Sequence, residues 1–143
     1  MAAASTVVQG GRPKAYRPLP AAERETALAA ALDAYERGDF FLAHELLEPA
    51  WMGTADNGER EFHQGLIKLA AAYVHAVRGN PAGVVKNLRG ARDRLNAALA
   101  ADASWAGLDL PALVAAIEVR LDSLATDPPS VPPPPALPRT VDR

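Results

Sequence analysis

The sequence predicts an all-α protein of about five helices in an antiparallel bundle of helical hairpins, with a flexible N-terminal arm and a Pro-rich C-terminal tail. Three observations predict it. Ala and Leu dominate the apolar residues and aromatics are few, a balance that favours helix. Apolar residues recur at helical spacing in five stretches. Helix-stopping and helix-capping residues stand between those stretches. The chain's 143 residues are enough for one domain with a core of its own.

Residues 1–20 hold Gly10-Gly11, Pro13, Pro18 and Pro20 and read as a flexible or extended arm. The bundle is expected over residues 21–125. The first helix spans about Ala21 to Arg37, with Leu28, Leu32 and Tyr35 on one stripe. Gly38 stops it and Asp39 caps the next. That second helix runs from Phe40 to about Trp51, and Pro49 should end or kink it. Asp56 and Glu59 have capping-box spacing for the third helix, Gly58 to about Arg78. Phe62, Leu66, Leu69, Tyr73 and Val77 form its stripe, and apolar residues cover most of its remaining circumference. It reads as a central helix, forming the middle of the bundle with the second.

Gly79 stops the third helix, and Asn80-Pro81 starts the fourth as cap and first-turn proline. Val84, Leu88, Ala91, Leu95 and Leu99 are its stripe. After a loop near Trp105 and Gly107, Asp109 caps the fifth helix, whose stripe is Leu110, Leu113, Val114, Ile117, Leu121 and Leu124. Arg37-Gly38-Asp39 and Arg78-Gly79-Asn80 occupy matching places, so two hairpins of the same geometry are expected. From Asp127 onward seven prolines exclude helix, and residues 126–143 read as a disordered or polyproline tail.

Composition narrows the function. There is no cysteine, which excludes disulfides, thiolate metal sites and cysteine catalysis and fits a cytoplasmic location. No secretory signal or membrane-length apolar run is present, so no membrane role is expected. The formal net charge is −2. The tails carry Arg12, Lys14, Arg17, Arg139 and Arg143 against only Asp127 and Asp142, so the folded part is more acidic still. Nucleic acid is therefore an unlikely partner. Arg78, Lys86, Arg89 and Arg92 form a basic stripe along the fourth helix that reads as a solvated face.

One polar cluster stands out. On a helical wheel His44 falls inside the stripe of Phe40, Ala43, Leu47 and Trp51, Glu48 lies on its edge, and Glu45 lies toward the opposite side. A buried imidazole needs partners. Gln64 and His75 share one face of the third helix, and His63 stands apart near its start. Two readings follow. His44 and Glu48, one turn apart, could bind one divalent ion with His75 or Gln64 added, a donor set suited to zinc, manganese or iron. Alternatively the cluster is a hydrogen-bonded pairing that fixes the register of helices two and three. His44-Glu45-Leu46-Leu47-Glu48 lacks the second histidine of the metalloprotease pattern. No Gly-rich phosphate loop and no Ser-His-Asp spacing appears.

The run from Gly38 to Glu48, with Trp51 after it, resembles the signature of a bacterial family known as domain of unknown function 309. Gln64-Gly65-Leu66-Ile67, Ala71, His75 and Arg78-Gly79-Asn80 resemble its second block, and the likeness extends over about Ala21 to Leu99. It implies a small all-helical bundle with no assigned activity, whose signature polar positions are His44, Glu45, Glu48, Gln64 and His75. The sequence departs from the pattern at Pro49 and at His63, where an apolar residue would be expected. The expected function is a non-enzymatic binding or scaffold domain, acting on a protein partner or by self-association, with no cofactor. The alternative is a metal-binding protein or metal-dependent enzyme using His44, Glu48 and His75.

Overall fold

The computed structural model describes residues 6–9, 12–126 and 130–140, and of residues 6–9 and 12–15 only the backbone. Five helices carry the fold: α1 (Ala21–Glu36), α2 (Phe40–Met52), α3 (Asn57–Val77), α4 (Pro81–Leu99) and α5 (Leu110–Leu124). Two small antiparallel ladders accompany them. The strands β1 (Thr6–Gln9) and β2 (Arg12–Ala15) pair within the arm, and β3 (Ser104–Trp105) pairs with β4 (Leu108–Asp109) ahead of α5. Residues 1–5, 10 and 11 of the expected arm lie outside the described residues.

The capping residues set the helix starts as their side chains dictate. Asp39, Asp56, Asn80 and Asp109 accept from the backbone N–H of Leu42, Glu59, Gly83 and Ala112. The two hairpin turns also match. Gly38 and Gly79 have φ of 85° and 70°, a left-handed conformation that closes a helix and favours glycine. In each turn the following residue donates back into the preceding helix, Asp39 to Ala34 and Asn80 to His75. Pro49 does not end α2, which continues to Met52.

The centre of the bundle is α3, buried on several sides, and its most extensive packing is against α4 rather than α2. Gly65 allows that approach. A Cβ at this position would lie 2.6 Å from Leu95 Cδ2 and 3.3 Å from the Leu95 backbone nitrogen. Since the neighbouring backbone cannot yield cheaply, Gly65→Ala should destabilise the domain by about 2 kcal/mol. The midpoint of urea unfolding measures this, and an unchanged midpoint would rule out tight α3–α4 packing. Arg94 of α4 fixes the same interface by donating to both oxygens of Glu61 at 3.1 and 3.3 Å.

The tail requires a correction. It is not helical, as its prolines demand, but residues 130–140 do not stand free. They lie along the bundle with Pro135 and Leu137 buried, and Leu137 joins the main core. Tyr35 of α1 donates to the Pro135 carbonyl at 2.8 Å, and Arg120 of α5 donates to the Pro133 carbonyl at 2.8 Å. Asp109 N–H donates to the Pro138 carbonyl and Thr140 N–H to that of Gly107. The expectation of disorder weighed the lack of helix and ladder donors. It did not weigh that extended proline carbonyls remain good acceptors. Residues 127–129 and 141–143 lie outside the described residues.

Candidate functional site

The fold places the buried imidazole at His63, not at His44. α2 docks through Ala43, Leu47, Ala50 and Trp51, and the small alanines mark the face that approaches its neighbours. His44, one residue past Ala43, is left half-buried at the rim, and so is Glu48. His44 Nδ1 lies 3.3 Å from Glu45 Oε2, and its ring stacks near the exposed Phe41. His75 is turned to α4. Its ring lies against Gly83, and its Nδ1 is 3.1 Å from Asn80 Nδ2. Because Asn80 Oδ1 already accepts from Gly83 N–H, the amide nitrogen faces the ring as donor, and His75 Nδ1 accepts. Gln64 Oε1 is buried without a hydrogen-bond partner among the described residues. Thus His44 and Glu45 are brought together, whereas His75 is engaged with the α3–α4 turn. Among the described residues no three His, Asp or Glu side chains are placed to hold one ion.

His63, by contrast, is 2% exposed and lines a pocket between α1, α3 and the turn after Trp105. The pocket has a volume of about 310 Å³, and its walls include Arg24, Leu28, Glu59, Phe62 and Trp105. Arg24 of α1 grips Glu59 of α3 through two bonds, Nε to Oε2 at 2.6 Å and a second guanidinium nitrogen to Oε1 at 3.2 Å. Thr54 donates its hydroxyl to Glu59 Oε1 at 3.2 Å. Glu59 therefore does not close the capping box back onto Asp56; its carboxylate is diverted across to α1. The Glu59 carboxylate in turn raises the Arg24 pKa above its ordinary value.

The imidazole sits just beyond this ion pair. Its Nδ1 is 3.9 Å from Glu59 Oε2, too long for a hydrogen bond, and among the described residues it has no partner. Burial pushes the His63 pKa down to about 4; Arg24 pushes the same way, while the Glu59 carboxylate and, more weakly, the Glu59 backbone oppose both. At neutral pH the ring is uncharged.

Trp105 forms the opposite wall and is held from three sides. Its indole N–H donates to the Ala98 carbonyl at 3.2 Å, and its ring stacks on Phe62 at a centroid distance of 5.7 Å. Its edge faces Gly58, where a Cβ would lie 3.1 Å from Trp105 Cζ2. The β3–β4 turn that presents it has positive φ at both central residues, 52° at Ala106 and 77° at Gly107. That is the primed geometry of tight hairpins, and Ala106 adopts it without glycine's freedom.

Residues 28–87 match the family model described as Domain of unknown function (DUF309). That segment of the helical core is similar to DUF309. The match runs from the second half of α1 into α4, so it holds Glu59, Phe62 and His63, while Arg24 and Trp105 lie outside it. The matched segment thus supplies one side of the pocket, and flanking residues close it. No curated protein and no solved structure matches the chain. Among the described residues no helix is long and apolar enough to cross a membrane.

The signal for this pocket was weak in the sequence. Arg24 and Glu59 are 35 positions apart and neither belongs to a motif. His63 was visible as a histidine near the start of α3, at a position where the family resemblance implies an apolar residue.

Proposed function

We propose that this protein is a non-enzymatic binding protein, and that its ligand is a small molecule held in the Arg24–His63–Trp105 pocket. One observation carries the reading. His63 lines an open volume of about 310 Å³, and its Nδ1 is buried without a hydrogen-bond partner among the described residues. An unpaired buried nitrogen costs about 1–3 kcal/mol, and a ligand that pairs with it recovers that cost. The apolar walls from Leu28, Phe62 and Trp105 suit a planar, weakly polar ligand with one hydrogen-bonding group directed at His63.

The same features speak against catalysis. Glu59 is held by Arg24 and Thr54, so it is poorly placed to take a proton from a substrate. An imidazole with a pKa of about 4 is a weak base, and near neutrality it is not the imidazolium that a general acid needs. The cysteine-free composition goes with a cytoplasmic setting for such a protein.

A screen of aromatic fragments bearing an amide, phenol or ring nitrogen tests the proposal. The Trp105 indole N–H resonance should shift saturably with a subset of them, and His63→Phe should abolish those shifts while the protein stays folded. Absence of any saturable shift, or shifts that survive in His63→Phe, would count against the pocket as a binding site.

A further inference from the structure

We infer that the groove holding the tail is a receptor for extended proline-rich segments, and that the tail of a second copy of this chain fits it as the chain's own tail does. This rests on the tail's contacts and not on the pocket.

The groove and its occupant are chemically complementary. Pro132 to Pro135 have no backbone N–H, so this stretch offers acceptors only. The groove offers donors at the matching places. Arg120 Nε and the Tyr73 hydroxyl both point at the Pro133 carbonyl, at 2.8 and 3.5 Å, and the Tyr35 hydroxyl at that of Pro135, at 2.8 Å. These donors come from α5, α3 and α1, so one segment ties three helices. Phe40 completes an aromatic wall, with its ring 5.3 Å from Tyr35 and 5.6 Å from Tyr73.

Side-chain burial in the tail alternates. Pro135 and Leu137 are buried while Pro134 and Ala136 are exposed, so the groove reads Pro-x-Leu in extended form, and the exposed Pro133 is held through its carbonyl. Aromatic hydroxyl donors on proline carbonyls, beside pockets for alternate residues, are the general means by which proteins hold proline-rich peptides. None of these contacts depends on the segment being joined to α5 of the same molecule.

A tail on a short tether has an effective concentration on the order of millimolar, so it outcompetes a second copy in dilute solution. Exchange should therefore appear when the groove is emptied at high protein concentration, giving a dimer with reciprocally swapped tails.

The test uses the full chain carrying two different tags. The two pools are unfolded in urea, mixed, and refolded either dilute or concentrated. Concentrated refolding should yield a mixed-tag species of twice the monomer mass, and dilute refolding the monomer. Excess synthetic peptide of residues 130–140 should lower the mixed species about tenfold by filling the groove. Leu137→Asp, which spoils the tail but not the groove's donors, should abolish it. Monomer alone under both conditions would overturn the inference. So would a mixed species that persists with excess peptide, since it would arise from another surface; this outcome is readable even if Leu137→Asp fails to fold.

Discussion

Between pH 6.5 and about 4 the domain should lose roughly 3 kcal/mol of stability through His63 alone. The imidazole titrates near 6.5 in an unfolded chain, and burial lowers it to about 4 in the native state. In the interval the unfolded chain binds a proton that the native protein does not. Stability therefore rises with pH across this window. The contribution is complete above 6.5 and gone below about 4. Urea unfolding at a series of pH values reads it directly. His63→Leu should remove this part of the acid slope, because leucine binds no proton in either state. If wild type and His63→Leu give parallel curves from pH 6.5 to 4.5, the imidazole is not buried uncharged as described.

Removing either partner of the Arg24–Glu59 pair should cost about 2–3 kcal/mol, between the values for exposed and fully buried pairs. Both side chains are 20% exposed and the contact is two-pronged, so water relieves a lone partner only in part. A double-mutant cycle with Arg24→Ala and Glu59→Ala should show the pair less costly to lose together than the two losses summed. The neighbouring imidazole provides a second readout of opposite signs. Glu59→Gln removes the charge that favours the imidazolium, so the His63 pKa should fall further. Arg24→Met removes the charge that opposes it, so the pKa should rise. An NMR titration of the His63 ring protons in which both variants move the same way would refute this arrangement.

The sequence was most legible where structure is local. Asp39, Asp56, Asn80 and Asp109 cap their helices because a capping side chain needs only the next three residues to act. Gly38 and Gly79 close theirs for an equally local reason. Leu110, Leu113, Val114 and Ile117 of α5 are buried as their spacing requires. The site was less legible because it depends on which faces meet. A wheel of α2 drawn from the aromatic Phe40 places His44 inside the stripe. Docking instead centres on Ala43, Leu47 and Ala50, because small residues let the neighbours come close, and His44 rotates outward. Glu59 carries a capping-box spacing, yet its side chain answers to Arg24 on another helix, and no local rule reports that. The tail failed in the opposite sense. Its composition signals an inability to form helix or sheet, which is true, but not whether tyrosine and arginine donors elsewhere await its carbonyls.

The turn from Trp105 to Leu108 is shared by both ends of the molecule. On one side it carries Trp105 and Ala106 into the pocket wall; on the other, Gly107 accepts from Thr140, and Leu108 bridges to Arg139. A force applied to either place is felt by the same four residues. Pocket and tail thus meet at one turn, and any coupling between a ligand in the one and docking of the other must be equal in both directions. A ligand that steadied this turn from the pocket side would raise the tail's docking equilibrium by the same factor that a docked tail adds to the pocket's affinity.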